Sequence, residues 1–208
     1  ARYRLDLPPA ARALLDDPAN GRPNPGHPAF ANSEYRIIAR PADALAAART
    51  AAEAAGYEVH DLGPDLEGEA REVAARHADL ARQLKRAGRR AAILSGGELT
   101  VTLRGSGRGG PSQEYALALA IALQAEPGVV TLAGDTDGTD GGGGEATDPA
   151  GALIDPRTLA RAAAIGLDPA RSLADNDSTG FFEALGDLLQ PGPTLTNVND
   201  CRVILIEP

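Results

Sequence analysis

The chain has 208 residues, with 20 basic and 29 acidic side chains and a formal charge of −9, a length that suits one sizeable core. That balance excludes non-specific binding to nucleic acid or to an anionic membrane, so a bound anion must be held by a local cradle. A single cysteine, Cys201, rules out an internal disulfide and fits a cytoplasmic setting, and no apolar run of about 18 residues marks a membrane span.

Cys201 lies in the apolar run CRVILI and reads as a buried structural thiol rather than a reactive one. The chain contains no methionine and opens on Ala1, which is expected of a piece of a longer polypeptide. Residues 1–32 are dense in proline and read as a linker or tail of a preceding domain, with residues 33–208 forming one α/β domain.

From Tyr35 the punctuation becomes regular. YRIIA is expected as a strand, followed by an alanine-rich helix over Ala42–Ala55 that Gly56 closes. YEVHDL is a second strand. A helix over Glu67–Ala87 places Ala70, Val73, Ala74, Leu80, Ala81 and Leu84 on one face, and Gly88 ends it. AAILS is a continuously apolar third strand, and TVTLR is a fourth after a tight turn at Gly96-Gly97. Pro111 at the first helical position opens YALALAIAL, apolar all round and therefore buried. Val129–Ala133 is a fifth strand, and Asp155-Pro156 and Asp168-Pro169 each start a short helix. Ser178–Leu185 is another helix and CRVILI a closing strand. The alternation predicts a layered α/β domain with a mixed, mostly parallel sheet flanked by helices, the turn at Gly96-Gly97 supplying a hairpin-like step.

Four stretches carry candidate chemistry. VTLRGSGRGGPSQE joins a strand to a helix through Gly105, Gly107, Gly109 and Gly110, and such a junction can aim backbone N–H groups at phosphate. Arg104 and Arg108 add guanidinium forks, and Glu114 lies in the first helical turn, where it either stabilises the helix or acts on a ligand. The spacing Gly105-x-Gly107-x-x-Gly110 also matches a dinucleotide fingerprint, with Asp135 thirty residues past its first glycine rather than about 20. Gly96, Gly97 and Glu98 follow a buried strand, where ligands of open α/β sheets gather. In LAGDTDGTDGGGGEATD, Asp135 and Asp137 are the candidate Mg²⁺ ligands; the alternative is a solvated acidic loop. Asn176, Asn197 and Asn199 sit in polar loops that either form turns or orient a hydroxy acid or ribose.

Read in order, SGGELTVTLRGSGRGGPSQEYALALAIAL, LAGDTDGTDG, ATDPAGALID, LADNDSTGFFEALGDLL and GPTLTNVNDCRVILI resemble the MOFRL family, the carboxy-terminal half of glycerate 2-kinases, some of which are labelled hydroxypyruvate reductases. The resemblance runs from about Tyr35 onward. It implies phosphorylation of D-glycerate at the 2-hydroxyl with ATP and Mg²⁺, in a cleft shared with an amino-terminal Rossmann-like domain that carries a catalytic lysine. Set beside that chemistry, the residues marked above take these expected roles: Arg108, Arg104 and Glu114 catalytic, Gly96, Gly97, Gly105, Gly107, Gly109 and Gly110 on phosphate or nucleotide, Glu98, Asn176, Asn197 and Asn199 on substrate, and Asp135 and Asp137 on metal. Many members read GGRNQE where this chain has Gly109-Gly110-Pro111-Ser112-Gln113-Glu114, so an arginine that would face the transferring phosphoryl group is replaced by proline. Two other readings stand beside this one. The first is an NAD(P)H-dependent hydroxypyruvate reductase, and the second a non-catalytic ligand-binding or docking half, where an apolar face left by a lost partner domain could drive a homodimer.

Overall fold

The computed structural model describes residues 6–21, 26–143 and 145–208. Pro23 and Pro25 of the proline-dense tail and Gly144 of the acidic loop lie outside them. The chain divides into two compact units, Ala1–Ile38 and Ala39–Pro208. In the first, helix α1 (Pro9–Asp16) is followed by two 3-10 turns, Pro18–Asn20 and Pro28–Phe30. The strand expected at YRIIA does not form. Residues 35–39 are irregular, and Tyr35 and Ile38 are exposed, so the β-branched pair finds no ladder among the described residues.

The second unit begins with α2 (Pro41–Ala54), where Pro41 occupies the first turn and the Asp43 carboxylate accepts from the Arg40 N–H at 2.9 Å. There follow β1 (Glu58–Asp61), β2 (Glu67–Glu69), α3 (Ala70–Arg86), β3 (Ala91–Ser95), β4 (Glu98–Thr100) and α4 (Pro111–Leu123). After these come β5 (Val129–Asp135), β6 (Gly151–Ile154), α5 (Thr158–Ala164), α6 (Pro169–Ala174), α7 (Ser178–Leu185), β7 (Leu188–Leu189) and β8 (Asp200–Ile206). Asp168 and Asp177 cap their helices, whereas Asp155 does not: α5 starts at Thr158 with Arg157 as an N-cap that makes no side-chain capping bond. Asp168 Oδ1 accepts from the N–H groups of Ala170 and Arg171, and Asp177 Oδ1 accepts from Gly180.

The main sheet has the order β1-β3-β8-β5-β6-β7. Only β1–β3 is parallel; β3–β8, β8–β5, β5–β6 and β6–β7 are antiparallel. The expectation of a mostly parallel sheet is therefore corrected to a mixed, mostly antiparallel one. The cause is β8, which enters between β3 and β5 and opposes both, while β6 returns beside β5 without a crossover helix. The step at Gly96-Gly97 is not a hairpin either. It carries the chain out of the main sheet, and β4 pairs in parallel with β2 as a separate ribbon. Gly97 has φ 84°, and a Cβ there would strike the backbone of Leu66, so the turn admits no larger residue. The fourth strand is accordingly only Glu98–Thr100, and residues 101–104 are irregular.

One sheet face is covered by α3 and α4. Ile93, Val129, Ala133, Ile204 and Ile206 meet Val73, Tyr115, Leu117 and Leu119 in one buried cluster. Helix α4 is buried on nearly every side, as its uniform apolarity requires, and each of its fully buried leucines contributes roughly 1.5–3 kcal/mol. The opposite face receives α2 over β1 and β3, with its alanines beside Leu94.

Within the core, His77 of α3 lies 2.8 Å through Nδ1 from the Tyr115 hydroxyl, with the rings edge to face. Burial, and then the positive charges of Arg202 and Arg76, push its pKa down to about 4. An imidazole whose folded pKa is depressed contributes stability above its unfolded value of about 6.5, and that stability drains as pH falls toward 4. The wild-type unit is therefore expected to lose up to about 3 kcal/mol more than His77→Gln between pH 7 and pH 4, measured by urea unfolding of both proteins at each pH.

Candidate functional site

The carboxyl ends of β3 and β5 and the start of β8 bring together five of the polar residues singled out from the sequence: Glu98, Asp135, Asp137, Asn197 and Asn199. Asp135 stands directly across from Asp200 in the β5–β8 ladder. Its Oδ1 accepts from the Asp137 N–H at 3.1 Å, and Asp137 Oδ1 accepts from Thr139 at 2.9 Å, so the acidic loop turns tightly at its start. Asn197 donates to Asp137 Oδ2 at 3.2 Å and accepts from the Asn199 N–H at 3.0 Å, while Asn199, in the left-handed region at φ 62°, offers its carbonyl to the Thr136 hydroxyl at 2.8 Å. Burial and then the charges of Asp137 and Glu98 raise the pKa of Asp135. Asp200 is pushed up to about 6 by burial, with Arg202 pulling the other way and Asp135 and Glu98 adding to the rise.

The counter-charge is Arg202, which the sequence reading absorbed into the closing strand. It is 1% exposed and engages Ser95 Oγ at 3.2 Å, Asp200 Oδ2 at 2.7 Å, the Gly97 carbonyl at 3.2 Å and the Gly96 carbonyl, and its guanidinium lies 5.7 Å from the Tyr115 ring centre. Gly96 and Gly97 thus serve this edge through their carbonyls, which Arg202 ties to β8. The signal was present as the one charged residue in CRVILI. On a strand buried at alternate positions, a charge at a buried one demands partners.

The glycine loop belongs to a second group. Its N–H groups turn inward onto the turn between α6 and α7. Asn176 Oδ1 accepts from Arg104 at 2.7 Å and Gly105 at 3.0 Å, Asp175 Oδ1 from Ser106 at 3.1 Å, the Asp175 carbonyl from Gly107 at 2.9 Å, and Asp177 Oδ1 from Arg108 at 3.1 Å. The glycines permit this contact, since a Cβ on Gly105 or Gly107 would overlap Asp175 or Asp177. Gly109 packs likewise against Ser178 and Gly110 against Asp140. The start of α4 is filled from within, because the Asp140 carboxylate accepts from Ser112 at 2.9 Å and Gln113 at 2.8 Å. Gln113 closes the loop by donating to Asp140 and accepting from the Thr179 hydroxyl at 2.7 Å.

Glu114 and Asn176 are both buried in this group. Asn176, at φ 56°, donates to Glu114 Oε2 at 2.8 Å, and Glu114 Oε1 accepts from Arg71 at 2.7 Å. Both therefore hold the loop to its neighbours. What the loop presents outward is its arginines. Arg108 pairs with Glu183 at 2.7 Å on an exposed surface. Arg104 is exposed beside an open polar groove of about 620 Å³ shared with Arg171 and Asp168.

The glycine spacing does not sit on a dinucleotide unit. That unit requires the strand before the loop to lie in the sheet beside the strand after the helix. Here β4 pairs only with β2, and β5 neighbours β8 and β6. Among the described residues no cluster of three or more His, Cys, Asp or Glu side chains is arranged to hold a metal ion, and no helix is long and apolar enough to cross a membrane.

Comparison with known proteins places this architecture. A protein of Agrobacterium vitis provisionally named hydroxypyruvate reductase is 47% identical over 212 residues, covering 99% of this chain and 47% of that protein. D-glycerate 2-kinase of Thermotoga maritima is 37% identical over 199 residues, covering 94% of this chain and 45% of the kinase. The crystal structure of a glycerate kinase from Thermotoga maritima superposes with a TM-score of 0.78 at 37% identity, over 83% of this chain and 42% of that one. The chain thus spans about half the length of the relatives it matches. The model of the MOFRL family matches residues 91–200, which include the glycine loop, the acidic loop and strands β3, β5, β6 and β7, and the chain belongs to the MOFRL family.

Proposed function

We propose that this chain is the carboxy-terminal half of a glycerate 2-kinase, which phosphorylates D-glycerate at the 2-hydroxyl with ATP and Mg²⁺ in a cytoplasmic setting. An amino-terminal Rossmann-like domain would complete the cleft. The relatives' names divide between kinase and reductase, and the observation that favours the kinase is the seat of the glycine loop. Its N–H groups at residues 104–108 and the start of α4 are engaged by Asp175, Asn176, Asp177 and Asp140, and no βαβ unit lies beneath it. A nicotinamide dinucleotide needs that backbone free for its pyrophosphate. Phosphoryl transfer needs mainly positioned cations and positioned oxygens, and both are available.

The Mg²⁺ is assigned to the carboxylate edge on donor chemistry, with two carboxylates rather than a ready-made cluster of three or more among the described residues. Asp135 faces Asp200 across the β5–β8 ladder, Arg202 pairs with Asp200, and behind burial, the main cause, the charges of Asp137 and Glu98 help to raise the pKa of Asp135. Asp135 and Asp137 are the ligands we assign, with water and phosphate oxygens completing the shell, as is usual for Mg²⁺. Bound there, the ion would neutralise charge on the transferring phosphoryl group. Glu98, Asn197 and Asn199 offer acceptors and donors for the hydroxyl and carboxylate of a small hydroxy acid. Arg104 takes the phosphate-facing role in place of the arginine that Pro111 displaces. The inward-turned loop, held by Asn176 and Glu114, fixes Arg104 at the groove.

The full-length gene product is expected to convert ATP and D-glycerate to ADP and 2-phosphoglycerate, and Arg104→Gln to lower kcat/KM by about a hundredfold or more. Oxidation of NADH by hydroxypyruvate, with no ADP formed from any hydroxy acid, would reverse the assignment.

A further inference from the structure

Antiparallel sheets that face water on one side alternate apolar with polar residues. Strands β8, β5 and β6 do not. Their inward positions fill the core against α3 and α4, yet their outward positions are Val203 and Leu205, Val130 and Leu132, and Leu153. Val130 is 41% and Leu153 45% exposed. They floor an open cavity of about 370 Å³ that Asp155, Arg161 and Asp187 border, and these three are paired with one another, Arg161 meeting Asp187 at 2.5 Å.

This trough continues toward α2. Val203 and Leu205 also line a second cavity of about 300 Å³, whose other wall is Ala48 and Ala51 of α2 and Ala55, which caps its end. Alanines at that spacing give a helix a smooth flank against which another helix can lie close. The widths agree. Strands are about 4.8 Å apart and a helix with its side chains is about 10 Å across, so one helix covers about two strands. Helix α2 occupies β1 and β3, leaving β8 and β5 as the seat of one more helix, with β6 at its margin.

A second copy of this chain suits the seat less well. Five side chains offer far less than the roughly 800 Å² per partner of a stable interface, and α2 stands beside them as an obstacle to sheet-on-sheet packing. We infer that the trough is the seat of an amphipathic α-helix lying alongside α2, with large aliphatic residues toward the sheet, supplied by the half of the family polypeptide that this chain does not span. The relatives provide the length, since 42% to 47% of each is matched and the rest lies outside.

The test uses thiol labelling, which is independent of catalysis. In a Cys201→Ser background, Val130→Cys and, separately, Leu153→Cys are compared in the 208-residue chain and in the full-length gene product, with circular dichroism to confirm folding. The expected result is rapid labelling in the short chain and at least about tenfold slower labelling in the long one, unchanged on dilution. Four results would overturn the inference. These are equal rates in the two proteins, protection already present in the short chain, protection that disappears on dilution (a second copy in the trough), or a gene product no longer than these 208 residues. An active kinase with equal labelling rates would sink this inference alone, and an inactive protein with protected thiols would sink only the proposed function.

Discussion

Replacing Arg202 with methionine is expected to lower the unfolding free energy of the Ala39–Pro208 unit by about 3–5 kcal/mol, the usual cost of removing one partner from a buried ion pair. The side chain is 1% exposed, and the change would leave the Asp200 carboxylate and the Gly96 and Gly97 carbonyls without their donor. Lysine should rescue little, because a single ammonium cannot span Ser95, Asp200 and two carbonyls at once. The informative measurement is a double-mutant cycle with Asp200→Asn. If Asp200 is the group left stranded, the double variant should recover a substantial part of the loss, with a coupling above about 1 kcal/mol. Loss of less than 1 kcal/mol in the single variant would mean that the edge is held together by other contacts.

The second large effect is expected at Asn176. Changing it to alanine removes the acceptor for the Arg104 and Gly105 N–H groups and the donor to Glu114, at a residue whose φ of 56° alanine tolerates poorly. Stability should fall by about 2–4 kcal/mol. The loop should also come away from its seat, so amide exchange at residues 104–108 should rise much more than in β5 or β8. In the full-length protein, kcat should fall more than KM rises, since Asn176 acts by holding Arg104 in place. Uniform acceleration of exchange across the whole unit would instead show Asn176 to be a general core residue.

The parts of this fold that were legible in the sequence are those set by neighbours along the chain. Ser178–Leu185 was found at its observed bounds, where Asp177 caps it and Gly186 ends it, and α4 was marked by Pro111 and its unbroken apolar run, because caps and periodicity act within a few residues. Strand direction was not legible in this way. The alternation of strands and helices suggested crossovers, but the antiparallel character comes largely from β8, whose partners lie 65 to 77 residues away in β5 and 107 to 115 in β3. YRIIA had strand composition with no partner, which shows β propensity to be a statement about context. The candidate site divides along the same line. Glu98, Asp135, Asp137, Asn197 and Asn199 were marked by residue type and by position at strand ends. The inward turn of the glycine loop depended on Asp175–Asp177, about seventy residues on, and a glycine spacing cannot tell a loop that wraps a ligand from one that wraps its own chain.

The position of β8 also bears on how the unit assembles. It is the central bridge of the main sheet, joining β3 to β5, yet Ile93 and its ladder partner Ile204 are separated by 111 residues of sequence (204 − 93). Before β8 arrives, β1–β3 and β5–β6 are two separate ribbons with bare apolar edges, and neither is wide enough to shelter α4. Vectorial synthesis therefore delivers α2 to α7 before the strand that unites the layer beneath them. Such long closure slows folding and prolongs the exposure of sticky edges, which makes the nascent unit a natural client for chaperones that hold unfinished sheets apart.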